Sequence, residues 1–291
     1  MIIKHNMQSA NTMRNLKNVD VQMGRHSEKL NSGYRINRAA DNTAGLAISE
    51  EMRTQVRGLN RGSLNAQDAI SYTRTLDGAL QEIDNVLHRC RELCIQAAND
   101  TNNDDDRKTI QNELNQLTDE IDTMARNAEF NTRKLFDVKN ADSATKIDPE
   151  TLTNKATLSE DEVLWMQVGA NTDDGVVVSK FCLSANDLGL ADIDVATSAK
   201  ATKAIDYYAN ALNIVSDIRS YYGAMENRFG HSEATADNTS ENLQTSESKM
   251  RDTNYASTMV AYSASNILHQ AGQAMLAQNN ESTRGVLTLL Q

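Results

Sequence analysis

Apolar residues recur at alternating spacings of three and four along five stretches of the chain, a pattern that places one apolar stripe on each of five α-helices. The first three stripes lie in residues 7–30, 76–97 and 110–128. Their members are Met7, Ala10, Met13, Leu16, Val19, Met23 and Leu30; Leu76, Leu80, Ile83, Leu87, Cys90, Cys94 and Ala97; and Ile110, Leu114, Leu117, Ile121, Met124 and Ala128. The polar segment NDTNNDDDRK separates the second and third stripes and predicts a turn, so these two helices are expected to be antiparallel.

The fourth and fifth stripes follow residue 200. The fourth predicts one very long helix and the fifth leads into the terminal sequence GVLTLLQ; their members are Ala204, Tyr208, Ala211, Val215, Ile218, Tyr222, Met225, Phe229, Ala236, Leu243 and Met250, then Val260, Ala264, Ile267, Ala271 and Ala274. Four large apolar residues at a chain end require a surface that buries them. The terminal stripes pack either against each other or each on its own half of a bundle, and periodicity favours neither.

Residues 137–200 differ from the helical stretches. They contain the only proline, Pro149, and the β-branched runs EVLWMQVGA and GVVVSKFCL, which the turn signal NTDDG separates. This pattern predicts a small β-hairpin insert on the helical body, and we expect the insert to be peripheral to assembly.

Composition excludes several functional classes. The net charge of −11 without a Lys/Arg block argues against nucleic acid and anionic membranes as partners, and no run approaches the roughly 20 apolar residues of a membrane span. The first fifteen residues do not resemble a cleaved Sec signal peptide. The sequence has no HExxH, GxSxG or phosphate-binding loop, so we expect neither an enzyme nor a cofactor.

The three cysteines, Cys90, Cys94 and Cys182, lack zinc-site spacing and are expected to be free thiols. Cys90 and Cys94 lie four residues apart on the second stripe, where cysteine acts as a small core residue. The alternative is a metal or redox pair with His88, but that side chain turns away from the stripe. The prediction is core packing and no metal site.

The segment SEKLNSGYRINRAADNTAGLAISEEMRTQVRGLNRGSLNAQDAIS resembles the N-terminal signature of the flagellin family, and SKMRDTNYASTMVAYSASNILHQAGQAMLAQ with the closing GVLTLL resembles its C-terminal domain. The similarity covers about residues 1–140 and 200–291. It implies a mainly α fold, a long antiparallel helical bundle or coiled coil with paired N- and C-terminal helices and a small β-hairpin insert. It also implies a structural subunit that polymerises into the bacterial flagellar filament for motility.

The resemblance further implies the domain order and the partners. Residues 1–40 and 248–291 are the helices of a terminal core domain, 41–140 and 201–247 the helices of a rod domain, and 141–200 a variable insert. Expected partners are copies of the same chain, a flagellar export chaperone at the C-terminal region and the flagellin-sensing Toll-like receptor. The expected location is the extracellular flagellum, reached by type III export without a cleaved signal peptide. Residues expected to pack in the terminal core are Leu16, Met23, Leu30, Ile267, Val286, Leu287, Leu289 and Leu290.

The segments HRCREL and IQNEL match those by which many flagellins engage the receptor, which places Arg89, Leu93 and Glu113 at its contact positions. We expect Arg89 and Leu93 on a face beside the apolar stripe that is more exposed than the stripe, and the same surface to pack between subunits in the filament. Thr283 stands where many flagellins have proline, so the last helix is expected to continue towards Gly285. Alternatives are a hook-filament junction protein and a coiled-coil adaptor that does not polymerise.

Overall fold

The computed structural model describes residues 6–136, 163–181, 183–191 and 193–288. In these residues the chain is mainly helical, with two short antiparallel hairpins. The helices are α1 (Met7–Ser32), α2 (Thr43–Ala98), α3 (Asp104–Asn127), α4 (Ser198–Arg251) and α5 (Tyr255–Thr288), and the strands are β1 (Glu129–Phe130), β2 (Arg133–Lys134), β3 (Val163–Gln167) and β4 (Gly175–Ser179). All five predicted helices are confirmed. The chain divides into two compact units, one of residues 1–54 with 241–291 and one of residues 55–240.

The unit of residues 55–240 has its core along the second, third and fourth stripes. Every member of the second stripe is fully buried, and the fourth stripe is buried from Ala204 to Phe229. Helices α2, α3 and α4 contribute these side chains to one continuous apolar cluster. The period of three and four therefore identified the facing sides of these helices correctly.

A capping arrangement fixes the turn between α2 and α3. The backbone amide of Asn103 donates to the Asp106 carboxylate at 3.0 Å, and Asp106 belongs to the acidic first turn of α3. The buried Arg107 guanidinium donates from Nε to the Ala97 carbonyl at 3.1 Å and from Nη2 to the Asn99 carbonyl at 3.3 Å. This side chain satisfies carbonyls at the end of α2 that lack a partner within the helix.

The β3–β4 hairpin is present, as predicted, and it belongs to the core of its unit, while its peripheral role in assembly stays a prediction. Val178 is fully buried in the same apolar cluster as the helices, and so are Leu183 and Val195 of the segment that leads back to α4. At Gly62 of α2 an added Cβ would lie 2.4 Å from the Val168 carbonyl oxygen. The backbone of the hairpin therefore approaches α2 as closely as glycine allows.

Side-chain hydrogen bonds anchor the segment after β4. The Gln111 amide donates to the Ile193 carbonyl at 2.9 Å and accepts from the Val195 amide at 2.8 Å. The Asp122 carboxylate accepts from the Ala185 amide at 2.7 Å. Because both anchors belong to α3, the segment completes the core instead of forming a detachable loop.

The terminal helices α1 and α5 pack on each other within the unit of residues 1–54 and 241–291. Of the two arrangements that periodicity left open, this is the mutual one. Leu16 faces Gly272, where an added Cβ would lie 3.0 Å from a Leu16 methyl carbon. The Asn279 amide donates to the Thr12 hydroxyl at 3.1 Å, and the Ser9 hydroxyl donates to Asn280 at 3.0 Å.

The C-terminal ends of α1 and α5 lie at Ser32 and Thr288. Helix α1 ends at Ser32, and Gly33 follows with φ of 75°, the left-handed conformation typical of a C-cap glycine. Beyond it, the Thr253 amide donates to the Gly33 carbonyl at 2.9 Å, which joins the two terminal segments. Helix α5 continues through Thr283 and Gly285 to Thr288, as the absence of proline predicted.

Candidate assembly and recognition surfaces

The apolar stripe predicted on α5 does not face α1. Val260 is 71% exposed and Ile267 is 67% exposed, and Ala264, Ala271 and Ala274 are also exposed. Ile267 therefore does not pack against α1 within the chain, and its expected packing in the terminal core stays a prediction. The pattern gave the period correctly but not the direction, because α5 presents apolar residues on more than one side.

A different side of α5 is covered in the pair. Its most buried residues are polar, Thr258 at 9% and Ser265 at 5% exposure. Each hydroxyl donates to a carbonyl one turn earlier, Thr258 to Asn254 at 2.8 Å and Ser265 to Ala261 at 2.9 Å. An apolar count missed both, although small hydroxyl residues that satisfy themselves on their own helix allow close helix contact. On α1, the expected residues Leu16, Met23 and Leu30 are half-buried.

Large side chains therefore remain exposed along α5, and we call this set the α5 apolar face: Tyr255, Met259, Val260, Ile267, Leu268 and Met275. Helix α1 adds Met7 and Met13, which are 67% and 66% exposed. The side chains of Val286 and Leu287, and the whole of Leu289 and Leu290, lie outside the described residues. A soluble monomer rarely exposes so many neighbouring apolar side chains unless they meet a partner.

Arg89 of α2 and Glu113 of α3 form an exposed ion pair on the bundle. Arg89 Nη2 donates to Glu113 Oε1 at 2.9 Å, and Nη1 donates to Glu92 at 3.4 Å. The hydrogen bond to Glu113 is the main cause that raises the pKa of the Arg89 guanidinium above its ordinary value. Half of each side chain remains accessible, at 52% for Arg89 and 47% for Glu113. The two predicted residues therefore share one face.

Leu93 does not share that face. It is only 2% exposed and packs in the apolar cluster of the bundle, so the expectation of an exposed leucine beside Arg89 is wrong. The reason is that α2 contacts two helices at once, α3 through Arg89 and α4 through the Asp77–Arg219 ion pair at 2.9 Å. Two neighbours bury a wider arc of a helix than the single stripe from which exposure was predicted.

Cys90 and Cys94 are core residues, as predicted, since both are free thiols with no exposed surface. Burial raises the pKa of Cys90 to about 11 and that of Cys94 to about 12. His88 is exposed and lies 3.8 Å from the Asp84 carboxylate, away from both thiols. Cys182 lies outside the described residues. In the part of the chain that the structure describes, no group of His, Cys, Asp and Glu side chains has the arrangement of a metal site.

Comparison with known proteins gives two family matches that together span most of the chain. Residues 3–141 match the bacterial flagellin N-terminal helical region, and residues 202–290 match the bacterial flagellin C-terminal helical region. The chain belongs to the bacterial flagellin family. It is 42% identical over 294 residues to a flagellin of Halalkalibacterium halodurans and 38% identical over 315 residues to a flagellin of Bacillus subtilis. It is 39% identical over 297 residues to the flagellar filament 33 kDa core protein of Treponema phagedenis, and each alignment covers 100% of both chains.

Membership in this family identifies the chain as a structural subunit of the bacterial flagellar filament, not an enzyme. Of the alternatives left open by the sequence, the full-length relatives favour the filament subunit over a junction protein or an adaptor. Among the described residues, none of the helices is both long enough and apolar enough to span a bilayer.

Proposed function

We propose that copies of this chain polymerise head to tail into a filament, and that the α5 apolar face is the principal contact between them. The observation that carries the proposal is the exposure of Val260 and Ile267 on a helix whose other side is already paired with α1. Full burial of a side chain such as Ile267 contributes about 1.5–3 kcal/mol. Because every subunit repeats the contact, two or three such residues are sufficient to favour a long polymer.

The domain assignment follows from this proposal. Residues 1–40 and 248–291 form the core of the filament, and residues 41–140 and 201–247 form the layer outside it. The division of the chain into units of residues 1–54 with 241–291 and residues 55–240 supports two bodies with separate cores. We propose that Val286, Leu287, Leu289 and Leu290 also become buried on assembly, because they are large apolar residues.

The assembly contact is tested with two exposed isoleucines on different helices. Ile267→Asn places a polar group on the α5 apolar face, and Ile214→Asn makes the same change on α4, where Ile214 is 42% exposed. We expect Ile267→Asn to abolish polymerisation or to raise the critical concentration by at least about tenfold, since each 1.4 kcal/mol is a factor of ten. Sedimentation and electron microscopy measure the polymer. Normal filaments from Ile267→Asn, or equal effects of both variants, contradict the proposal.

The same face requires protection before assembly, so we propose that an export chaperone binds the C-terminal region of the monomer. Within this face, helix α5 offers the chaperone the exposed Leu268 and Met275. Chaperone binding and polymerisation should then exclude each other. Simultaneous binding of the chaperone along an intact filament is the result that contradicts a shared surface.

We also propose type III export with the N-terminal segment retained. This proposal is supported by the contacts that Asn6 makes in the fold. The Asn6 side chain caps α1 by accepting from the Ser9 backbone amide at 3.0 Å, and it donates to the Asn279 carbonyl at 3.3 Å. Mass spectrometry of protein recovered from filaments tests this. A mass that corresponds to loss of a leader would contradict it.

A second function, binding to the flagellin-sensing Toll-like receptor, is proposed for the face that carries Arg89 and Glu113. Their accessible ion pair supports it, because an arginine fork that already faces solvent can exchange its partner carboxylate. Leu93 lies beneath this face and acts by supporting α2, not by direct contact. We propose that the same face packs between subunits, so that monomer binds the receptor and intact filament does not.

Receptor-ectodomain affinity of Arg89→Ala and Glu113→Ala monomers tests this function. Arg89→Ala should weaken binding by roughly 2–4 kcal/mol if Arg89 is a hot spot. The exposed Arg74, which pairs with Glu226 at 2.8 Å, provides a control for loss of an ion pair elsewhere on the bundle. Equal affinity of wild type and Arg89→Ala removes Arg89 from the site, and absence of wild-type binding contradicts the function altogether.

A further inference from the structure

A pocket of about 500 Å³ lies within the unit formed by residues 1–54 and 241–291, and its lining is basic. Lys29, Arg35 and Lys249 line it together with His26, and Asp252 is its only carboxylate among the described lining residues. Lys29, Arg35 and Lys249 against Asp252 give three positive charges and one negative, a local charge of +2 without His26. The chain as a whole carries −11, so this basic pocket has the opposite sign.

The basic pocket has a fixed frame. Arg35 is held by two hydrogen bonds of 2.6 Å, from its backbone amide to the Arg251 carbonyl and from Nη2 to the Met250 carbonyl. Lys29 lies in the last turn of α1, where its carbonyl accepts from the Gly33 amide at 3.0 Å. Arg35 is therefore fixed in place, and Lys29 and Lys249 line the same concave site.

A cluster of acidic side chains, opposite in charge to the basic pocket, lies in the other unit. Asp100, Asp104 and Asp105, which we call the acidic turn, have side chains that are 89%, 89% and 94% exposed. Their partners in the chain are Arg107 at 3.8 Å and Lys108 at 3.1 Å. The contacts of Asp100 and Asp104 with Arg107 are long, and the exposed Asp105–Lys108 pair contributes little, so the three carboxylates remain available to another cationic site.

We propose that in the polymer the basic pocket of one copy receives the acidic turn of a second copy. The inference rests on the proposed self-assembly. A head-to-tail contact joins two different surfaces of the same chain, and a pocket with an oppositely charged turn meets that requirement. Subunits that each carry −11 repel one another, so a contact of opposite charges both offsets the repulsion and fixes the register of the subunits.

Neutral variants provide the first test. Lys29→Gln with Lys249→Gln removes two pocket charges, and Asp100→Asn with Asp105→Asn removes two turn charges while retaining side chains of similar size. Each pair should raise the critical concentration for polymerisation about 2- to 30-fold at low ionic strength, the range for two exposed ion pairs, and added salt should reduce the difference. Glu82→Gln with Glu120→Gln, at two exposed positions of α2 and α3 outside the acidic turn, changes the net charge as much as the turn variant does and should leave assembly unchanged.

Charge exchange provides the decisive test. Lys29→Glu with Lys249→Glu, and Asp100→Lys with Asp105→Lys, should each weaken assembly further than the neutral variants do. A chain that carries all four reversals should polymerise again, with a critical concentration within about threefold of wild type. Recovery of this kind supports contact between the two sites, because independent structural damage at both would add instead of cancelling.

The outcomes separate this inference from the proposed function. If wild-type protein forms no polymer, the proposed function fails. If wild type polymerises while the neutral and reversed variants match it, or if the four-reversal chain assembles no better than the two-reversal chains, only the pairing of pocket and turn is overturned. Thermal stabilisation of wild-type monomer by inorganic phosphate, lost in the pocket variants while their assembly stays normal, would overturn it in favour of a small-anion site.

Discussion

Replacing Leu93 by alanine separates a supporting residue from a contact residue on the bundle. Leu93 is 2% exposed, and the substitution removes three buried carbon atoms. At about 0.8 kcal/mol for each, the transfer contribution is about 2.4 kcal/mol. The cavity left in a core of this kind increases the loss, so we expect Leu93→Ala to lower the free energy of unfolding by about 3–5 kcal/mol.

Arg89→Ala provides the contrast four residues earlier on α2. Its side chain is 52% exposed, and its ion pairs to Glu113 at 2.9 Å and Glu92 at 3.4 Å are accessible to water. Exposed pairs of this kind contribute little to stability, so we expect a much smaller loss than for Leu93→Ala. Leu64→Ala is the matched control for the leucine, because Leu64 lies on the same helix and is 49% exposed; its effect should stay near 0.5 kcal/mol.

The assay is urea unfolding of the monomer followed by far-ultraviolet circular dichroism. With a slope of about 2–3 kcal/mol per molar urea for this size, Leu93→Ala should shift the midpoint down by about 1–2 M, and Leu64→Ala by about 0.2 M. If Leu93→Ala unfolds together with the Leu64 control, Leu93 is not in the core. If Leu93→Ala loses receptor binding at a urea concentration at which Arg89→Ala is still folded, that loss reflects unfolding of Leu93→Ala and not the removal of a receptor contact.

Three further predictions concern the same unit. Burial raises the pKa of Cys90 to about 11 and that of Cys94 to about 12, so above about pH 8.5 the unfolded chain loses thiol protons that the folded chain retains. The free energy of unfolding should therefore be highest below pH 8.5 and fall by up to about 1.36 kcal/mol per pH unit for each thiol between pH 8.5 and 10. Urea titrations of Cys90→Ala with Cys94→Ala should no longer show this slope. Thr132→Gly should stabilise the β1–β2 hairpin by about 1 kcal/mol in thermal unfolding, since Thr132 is β-branched and has φ of 67°, and an unchanged midpoint would indicate that the threonine is not strained there. Gly62→Ala should destabilise by about 1–3 kcal/mol because its Cβ meets the Val168 carbonyl at 2.4 Å, and full retention of stability would show that the hairpin can retreat from α2.

The sequence was sufficient to predict those helices whose single apolar side faces one continuous core. The stripe from Leu76 to Ala97 is fully buried because every third or fourth residue meets the same cluster, and the same logic located α3 and α4. The β insert was located by its β-branched runs and turn. Its burial was not foreseen, because contact with α2 depends on the absence of a side chain at Gly62, and an apolar count does not register such a position.

The candidate surfaces were harder to predict than the fold. Arg89 and Glu113 were correctly expected on one face, but the exposure of Leu93 depends on a second neighbour of α2 that a single stripe does not reveal. On α5 the period was correct, while the side facing α1 is marked by Ser265 and not by Ile267. When a helix has apolar residues on two sides, the side that packs against its neighbour is the one whose small residues allow the two backbones to approach closely.

The pairing of α1 with α5 also determines when each part of the chain acquires its structure. Thr12 bonds to Asn279 across 267 positions, a separation that makes the pair dependent on closing a very long loop. The bundle shortens that loop once it has formed, because Asn60 and Ser240 meet at 2.7 Å. The terminal pair should therefore form last and open first, and amide hydrogens of α1 and α5 should exchange with deuterium before those of the stripe from Leu76 to Ala97.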